Sequence, residues 1–361
     1  MFIKRTQSLY ALKIICILLV FALFIGCTSR RAPSPGGPNQ QQPPGGQQSG
    51  IRREAPTPTA PKGDETGQEA KKPALPKALN ATDGQEPSLQ VFIKEDNNVQ
   101  EMKLEEYITK VVAGEIKNDW PDEAIKAQAI IARTFVLDFI DEKGHSKHGK
   151  AHISTDIEEA QAWNPEAVND KIKNAVNDTR GLIMTFDGKF AKGWFHSNAA
   201  GTTATPKEGL NFKGGDPPYI KVVKSPDDSP QVPGDEKNWE YSASKAKVLE
   251  ALKTMGKPIK DFSKVTMGEK GESGRILNLD FDGTKVSAPD FRVALDSKGM
   301  KSTMLEKVEL QGDKVVFKGR GYGHGVGMSQ WGAFKMAKEG KKAEDIISHY
   351  FQGIKIVKVW R

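Results

Sequence analysis

The sequence predicts an α+β fold, and three observations predict it. Helix-like and strand-like segments are segregated along the chain and do not alternate as βαβ units would require. Long stretches with apolar residues at offsets of 4, 7, 8 and 11 mark helices, while short apolar runs bounded by glycine turns mark strands. A sharp change of composition near residue 88 confines both kinds of element to the last three quarters of the 361 residues, enough for one large or two closely joined units.

In order, LQVFI and VQEM flank Asp96-Asn97-Asn98 as strands. A helix then runs from Leu104 to about Lys117, and a second is opened by Pro121 and closed near Gly144. Asn164-Pro165 starts another that stops at Gly181. LIMTF, Asp187-Gly188 and FAKGWF read as a hairpin, because an Asp-Gly pair supplies the left-handed residues of a tight turn. SASKAKVLEALKTMG is an amphipathic helix, and KVTMGEK, RILNLDF, EKVELQG and KVVFKGR are strands. MSQWGAFKMAKEG and AEDIISHYF are helices ahead of a last strand, IKIVKVW.

The first quarter has another character. Lys4, Arg5 and Lys13 precede an apolar run of 13 residues, IICILLVFALFIG, which ends at Cys27. The run is short for a bilayer span of roughly 20 residues and has the anatomy of an export signal, 1–26, with FIGC similar to a bacterial lipoprotein box. On that reading Cys27 carries lipid as the first mature residue, and the body lies on the extracellular face of the cytoplasmic membrane; the alternative is an uncleaved anchor. Residues 27–88, rich in Pro, Gly and Gln, lack the apolar surface to order themselves and read as a tether. The body, 89–361, contains no cysteine, which excludes disulfides and thiol nucleophiles there. Taking the three basic residues of 1–26 from the formal +7 leaves +4, a mild excess suited to an anionic wall; no basic run interleaved with aromatics points to nucleic acid.

Several residues could carry chemistry. Leu104, Ile108, Val111, Val112 and Glu115 share one helical stripe, so an ionisable group ends an apolar row. A desolvated carboxyl keeps its proton to higher pH, as a general acid requires; a helix-end ion pair with Lys117 or Lys126 is the plainer reading. Arg133, in a nearly wholly apolar helix, is either ion-paired or ligand-facing. GRGYGHGVGMSQWGAF lacks the register of a dinucleotide or phosphate loop, and its glycines suggest backbone pressed against another surface, with His324, Ser329 and Gln330 around it. His196-Ser197 lacks a nucleophile elbow and suits hydrogen bonding to a polar ligand such as sugar. His145, His148 and His152 lack a metal-site spacing and read as solvated loop.

Taken together, VVAGEI, PDEAIKAQAIIARTF, ISTDIEEAQAW, GWFHSNAAGTT, PPYIKVVKSPDD, SAPDFRVALDSKGMKST and GYGHGVGMSQWGAFKMAKEGKKAEDIISHYF resemble the successive blocks of the stage II sporulation protein D (SpoIID/LytB) family. The resemblance covers nearly all of 89–361. It implies a peptidoglycan lytic transglycosylase acting on glycan strands that an amidase has stripped of stem peptides, with Glu115 catalytic. It further implies that Arg133, His196, Ser197, Tyr219, Lys221, His324 and Gln330 line the substrate cleft. Some relatives bind zinc through cysteines and histidines in the block where this chain has Ser154, Glu159, Ala160 and Trp163, so no metal or other cofactor is expected here. The rival reading is a non-catalytic wall-binding protein that stimulates an amidase.

Overall fold

The computed structural model describes residues 71–361, so the export signal and Cys27 lie outside the described residues. No described helix is long and apolar enough to cross a membrane. Strands β1 (Ser88–Ile93) and β2 (Asn98–Lys103) form an antiparallel hairpin, after which α1 (Leu104–Glu115) and α2 (Asp122–Lys143) begin. The predicted stripe of α1 is buried, with Leu104, Ile108, Val111 and Val112 all at 0% exposure. Pro121 is the N-cap of α2 and Gly144, at φ 75°, its C-cap. This 22-residue helix is the axis of the larger core: α1, α3 (Asp170–Asp178), α8 (Gln330–Lys338), α9 (Ala343–Tyr350) and β4 (Leu182–Phe186) pack around it.

Short β3 (Ile153–Ser154) adds to β1 in parallel. Asn164-Pro165 opens only a 3-10 turn; α3 starts later, where the Asn169 side chain caps the Ile172 N–H. β4 (Leu182–Phe186) and β5 (Lys189–Phe190) make the expected hairpin, with Asp187 and Gly188 at φ 49° and 74°. The second strand stops at Phe190, because β6 (Phe195–His196) leaves to pair in parallel with β13 (Met328–Ser329). Two short helices follow, α4 (Pro206–Leu210) and α5 (Gly234–Lys237).

A second core is built from β7 (Trp239–Ser244), α6 (Lys245–Thr254), β8 (Val265–Met267), β9 (Asn278–Phe281), β10 (Thr284–Ser287), α7 (Ala288–Asp296), β11 (Leu305–Gln311) and β12 (Lys314–Gly319). Its sheets run β10-β9-β8 and β11-β12-β7, all antiparallel. Phe262, Phe281, Phe291 and Phe317 chain through it at centroid separations of 5.2, 5.3 and 6.1 Å. The expected strands are here; α7 is an additional helix that Ser287 caps and Pro289 opens. The chain then returns to the first core through β13 (Met328–Ser329), α8 (Gln330–Lys338), α9 (Ala343–Tyr350) and β14 (Lys355–Lys358), which pairs with β4. Fold class is therefore α+β, with two hydrophobic cores.

Two expectations need correction. Order begins before residue 89: Leu79 is buried, the Pro87 carbonyl accepts from Leu104 N, and Glu86 pairs with Arg180, because Leu75, Ala78, Leu79 and Ala81 near the end of the polar stretch find the first core. Arg133 is structural. It is wholly buried, its Nη2 and Nε grip Glu105 at 2.7 and 3.0 Å, and Nη1 donates to the Leu182 carbonyl at 2.9 Å. Glu105 also accepts from Gly181 N and Trp360 Nε1, so this ion pair ties α1, α2, β4 and the C-terminus together and leaves nothing for a ligand.

Removing one half of such a pair strands a buried charge. Glu105→Ala is expected to cost about 3–5 kcal/mol in chemical denaturation. A loss under about 1 kcal/mol, the range of exposed pairs, would show that Arg133 is not held this way.

Candidate functional site

Glu115 is the last residue of α1, half-buried. Gly114 lets the 162–163 backbone cross the helix end so closely that a Cβ there would sit 2.8 Å from Trp163 N. That crossing delivers the Ala162 N–H to Glu115 Oε1 at 2.5 Å. Among the described residues no cation balances the carboxylate: Lys126 pairs with Asp178 and Glu123, and Lys117 lies 5.4 Å over the Trp331 ring. Desolvation therefore wins over the single N–H and raises the Glu115 pKa from 4.5 to about 7. The helix-end ion pair left open by the sequence is absent among the described residues.

The start of α8 closes the other side. Ser329 caps it by accepting from Gly332 N, and Gln330 donates through Nε2 to the Glu115 main-chain oxygen at 2.8 Å and to Gln128 Oε1 at 3.3 Å. Trp331 N donates to the Ser197 carbonyl. A network the sequence did not reveal holds this turn: Ser329 Oγ and Ser225 Oγ both donate to Asp227 Oδ1, at 2.5 and 2.9 Å, and Gly201 N donates to Asp227 Oδ2 at 2.9 Å. Glu236 was missed as well. Its Oε2 accepts from Ser197 Oγ at 2.6 Å and Trp331 Nε1 at 3.2 Å, and burial raises its pKa despite those donors. Nothing in GDEKNWEY distinguishes it from an exposed turn.

Thus Glu115, Ser197 and Gln330 gather around the first turn of α8. His196 lies beneath the glycine loop and His324, half-buried, within it, with rings 5.7 Å apart. His196 is 4% exposed and donates through Nδ1 to the Val326 carbonyl at 3.1 Å; His324 Nδ1 accepts from Val326 N at 3.0 Å. Burial, with Arg292 and Arg275 adding to it, lowers His324 to about 3; burial, with His324 and Arg275 adding, lowers His196 well below 6.5. Their Nδ1 atoms are both spent on the Val326 backbone, so they shape the loop. The loop's glycines do press on a surface, as expected: a Cβ on Gly323 would meet His196 Cβ at 2.7 Å, and one on Gly325 the Arg275 guanidinium at 2.4 Å.

Tyr219 and Lys221 stand apart from this group. Tyr219 is buried, packs at a tilt against Phe186 and accepts from Lys192 N through its hydroxyl at 2.8 Å; Lys221 is exposed. The histidines assigned to solvated loop are partly structural, since His148 stacks on Phe92 at 4.3 Å and His152 Nδ1 accepts from Gln90 N. In the ISTDIEEAQAW block, Ser146 from the preceding loop and Ser154 donate to Glu159 Oε2 at 2.5 Å each, and Lys147 N donates to Oε1. Hydroxyls committed to one carboxylate do not fit zinc, which prefers nitrogen and sulfur donors.

Comparison with known proteins agrees with this layout. The stage II sporulation protein family profile matches residues 94–186, and a domain of unknown function matches 221–327, the stretch that contains the second core. Stage II sporulation protein D of Bacillus amyloliquefaciens is 30% identical over 77% of this chain and 83% of its own, and that of Bacillus subtilis 31% over 74% and 78%. An amidase enhancer of Bacillus subtilis is 23% identical over 67% of this chain and 39% of its own.

Gly325 and Gly340 have φ of 84° and 85°, but only Gly325 faces a neighbour. Gly340→Ala should cost on the order of 1–3 kcal/mol for the left-handed backbone alone. Gly325→Ala should cost clearly more in the same denaturation series, and equal losses would mean the loop does not rest on Arg275.

Proposed function

Because the chain belongs to the stage II sporulation protein D family, we propose that it is a lytic transglycosylase of peptidoglycan glycan strands. Family membership supports a role in sporulation and the cell wall; the reaction is inferred from the site. The observation that carries it is Glu115, a carboxyl with no counter-cation among the described residues and a pKa raised to about 7. A glycosidase that admits water needs a second carboxylate to activate it or to act as nucleophile. An N-acetylmuramic acid unit carries its own nucleophile.

In the proposed sequence Glu115 gives its proton to the oxygen linking N-acetylmuramic acid to N-acetylglucosamine, and the C1–O bond breaks. The muramyl C6 hydroxyl closes on C1, and ionised Glu115 takes the hydroxyl proton, which restores the acid and leaves a 1,6-anhydro end. Tethering the nucleophile in the substrate replaces a positioned water. Ala162 N–H stabilises the carboxylate while it is charged, and Gln330 fixes the backbone from which it projects. Strands stripped of stem peptides by an amidase are the expected substrate. Export and attachment to the outer face of the membrane through Cys27 complete the proposal, with the polar segment before the folded body as tether.

Likeness to an amidase enhancer favours one rival, a wall-binding protein that stimulates an amidase without cutting glycan. The two part over Glu115. The purified protein should release anhydro-muramyl ends from amidase-treated sacculi, read by mass spectrometry, and Glu115→Gln should lower that rate by about 10²–10⁴-fold. Binding without anhydro ends would establish the rival. Since only the protonated acid can donate, the rate of the first step should fall as pH rises through about 7; a rate still climbing above that pH would contradict an acid role.

A further inference from the structure

Among the described residues the Glu115 carboxyl receives one N–H, that of Ala162, so whatever places Ala162 acts on the acid. The segment 154–164 lies along α1 and touches it at three levels. Tyr107 Oη donates to the Ser154 carbonyl at 3.0 Å, Asn164 N donates to the Lys110 carbonyl at 3.1 Å, and the 162–163 backbone crosses Gly114. Within the segment the chain makes a turn, in which Glu159 N and Ala160 N both donate to the Asp156 carbonyl at 2.9 Å.

The Glu159 side chain ties that turn to the loop before β3. Its Oε2 accepts from Ser146 Oγ and Ser154 Oγ at 2.5 Å each, and its Oε1 accepts from Lys147 N at 2.6 Å. Each hydroxyl is itself oriented by a backbone N–H, since His148 N donates to Ser146 Oγ at 3.1 Å and Asp156 N to Ser154 Oγ at 3.2 Å. A hydroxyl that accepts from a fixed amide still has its own proton to aim, and both aim at the same carboxylate oxygen. Burial opposes the charge on Glu159, yet the three donors outweigh it, and its pKa lies below the ordinary value. None of the reaction steps above uses these groups.

Four residues, 160–163, separate Glu159 from the Asn164 bond to α1. One of them, Gln161, is 3% exposed, with its Nε2 3.4 Å from the Ala132 carbonyl of α2. So short a span passes a shift of Glu159 on to the Ala162 N–H, and a hydrogen bond weakens steeply as its angle departs from linear. The charges of Glu115 and Glu159 both add to the burial that raises the Tyr107 pKa, which places the two carboxylates near one wholly buried ring. Lys117 rests on Trp331 and Lys126 pairs with Asp178, so neither replaces what Ala162 gives.

We propose that Glu159 is a positioning residue for Glu115: its carboxylate gathers Ser146, Ser154 and Lys147 N so that the chain three residues later presents the Ala162 N–H to Glu115 Oε1. Its bearing on catalysis rests on the acid role proposed above; its test does not, because the titration of Glu115 is read without substrate.

Carbon NMR of the intact protein with labelled glutamate side chains follows the Glu115 midpoint in Glu159→Ala. Losing an N–H that stabilises the charged form makes ionisation harder, so the midpoint should rise above the wild-type value by about 1 pH unit. Exchange of the Ala162 amide should quicken by at least about tenfold. Glu159→Gln, with one acceptor oxygen left for three donors, should fall between. Gly312→Ala strains the β11–β12 turn of the second core, at φ 57°, and should leave both readings unchanged; a rise there too would mean that any loss of stability moves the acid, and would overturn the specific role. So would an unmoved midpoint, or an Ala162 amide as slow as in the wild type, in folded Glu159→Ala. Should that variant fail to fold, Ser146→Ala and Ser154→Ala each remove one donor: a raised midpoint in either supports the proposal, and a raised midpoint in neither overturns it. The falling limb of the rate–pH profile should move with the NMR midpoint, whereas a merely structural role lowers the rate at every pH and leaves the limb in place. A wild-type midpoint of 4.5, or no anhydro ends, would count against the acid reading and leave the comparison among variants intact.

Discussion

The site depends on one long-range hydrogen bond, from Gln330 Nε2 to the main-chain oxygen of Glu115, between residues 215 apart in the chain. A helix end leaves its last carbonyls without partners, and here a side chain from the far end of the sequence supplies one. The same contact seats the first turn of α8 over the acid. Everything that fixes α8 therefore also fixes Glu115: the Ser329 cap, Asp227 beneath it, and the parallel pairing of Phe195–His196 with Met328–Ser329. The glycine loop makes that closure possible, since its alternate residues lack the Cβ atoms that would strike His196 and Arg275.

Two glutamates on α1 show how environment assigns roles. Glu105 receives a bidentate guanidinium, a backbone N–H and an indole N–H, so its charge is fully compensated and it serves the fold. Glu115, ten residues on, receives one backbone N–H and, among the described residues, no cation, so burial dominates and the proton is retained near neutral pH. The difference is one of solvation and partners, not of residue type. A carboxyl that is both half-exposed and costly to ionise can give up its proton when a developing negative charge on a leaving oxygen makes the transfer favourable.

Much of this was legible in the sequence because it is local. The α1 stripe and the caps of α2 follow from helical period and from Pro121 and Gly144. Asp187-Gly188 announced its turn, and the glycines of GYGHGVG announced a close approach. What escaped was set by distant partners. Glu105 looks like one of two solvated acids in a first helical turn, yet Arg133, 28 residues away, and Trp360, 255 away, claim it. Glu236 lies in a polar tetrapeptide and becomes a site residue only through Ser197 and Trp331. Tyr219 bears the hydroxyl expected of a sugar contact and instead braces Lys192 N inside the first core. The helix expected from Asn164-Pro165 shrank to a single turn, as Asn169 offered a cap for a full helix five residues later.

The central claim is that Glu115 holds its proton near neutral pH because it is desolvated and uncompensated. Carbon NMR of the protein with labelled glutamate side chains, assigned by the loss of one resonance in Glu115→Gln, measures this directly. The carboxyl carbon should titrate with a midpoint of about 7. A midpoint at the ordinary 4.5 would contradict the account.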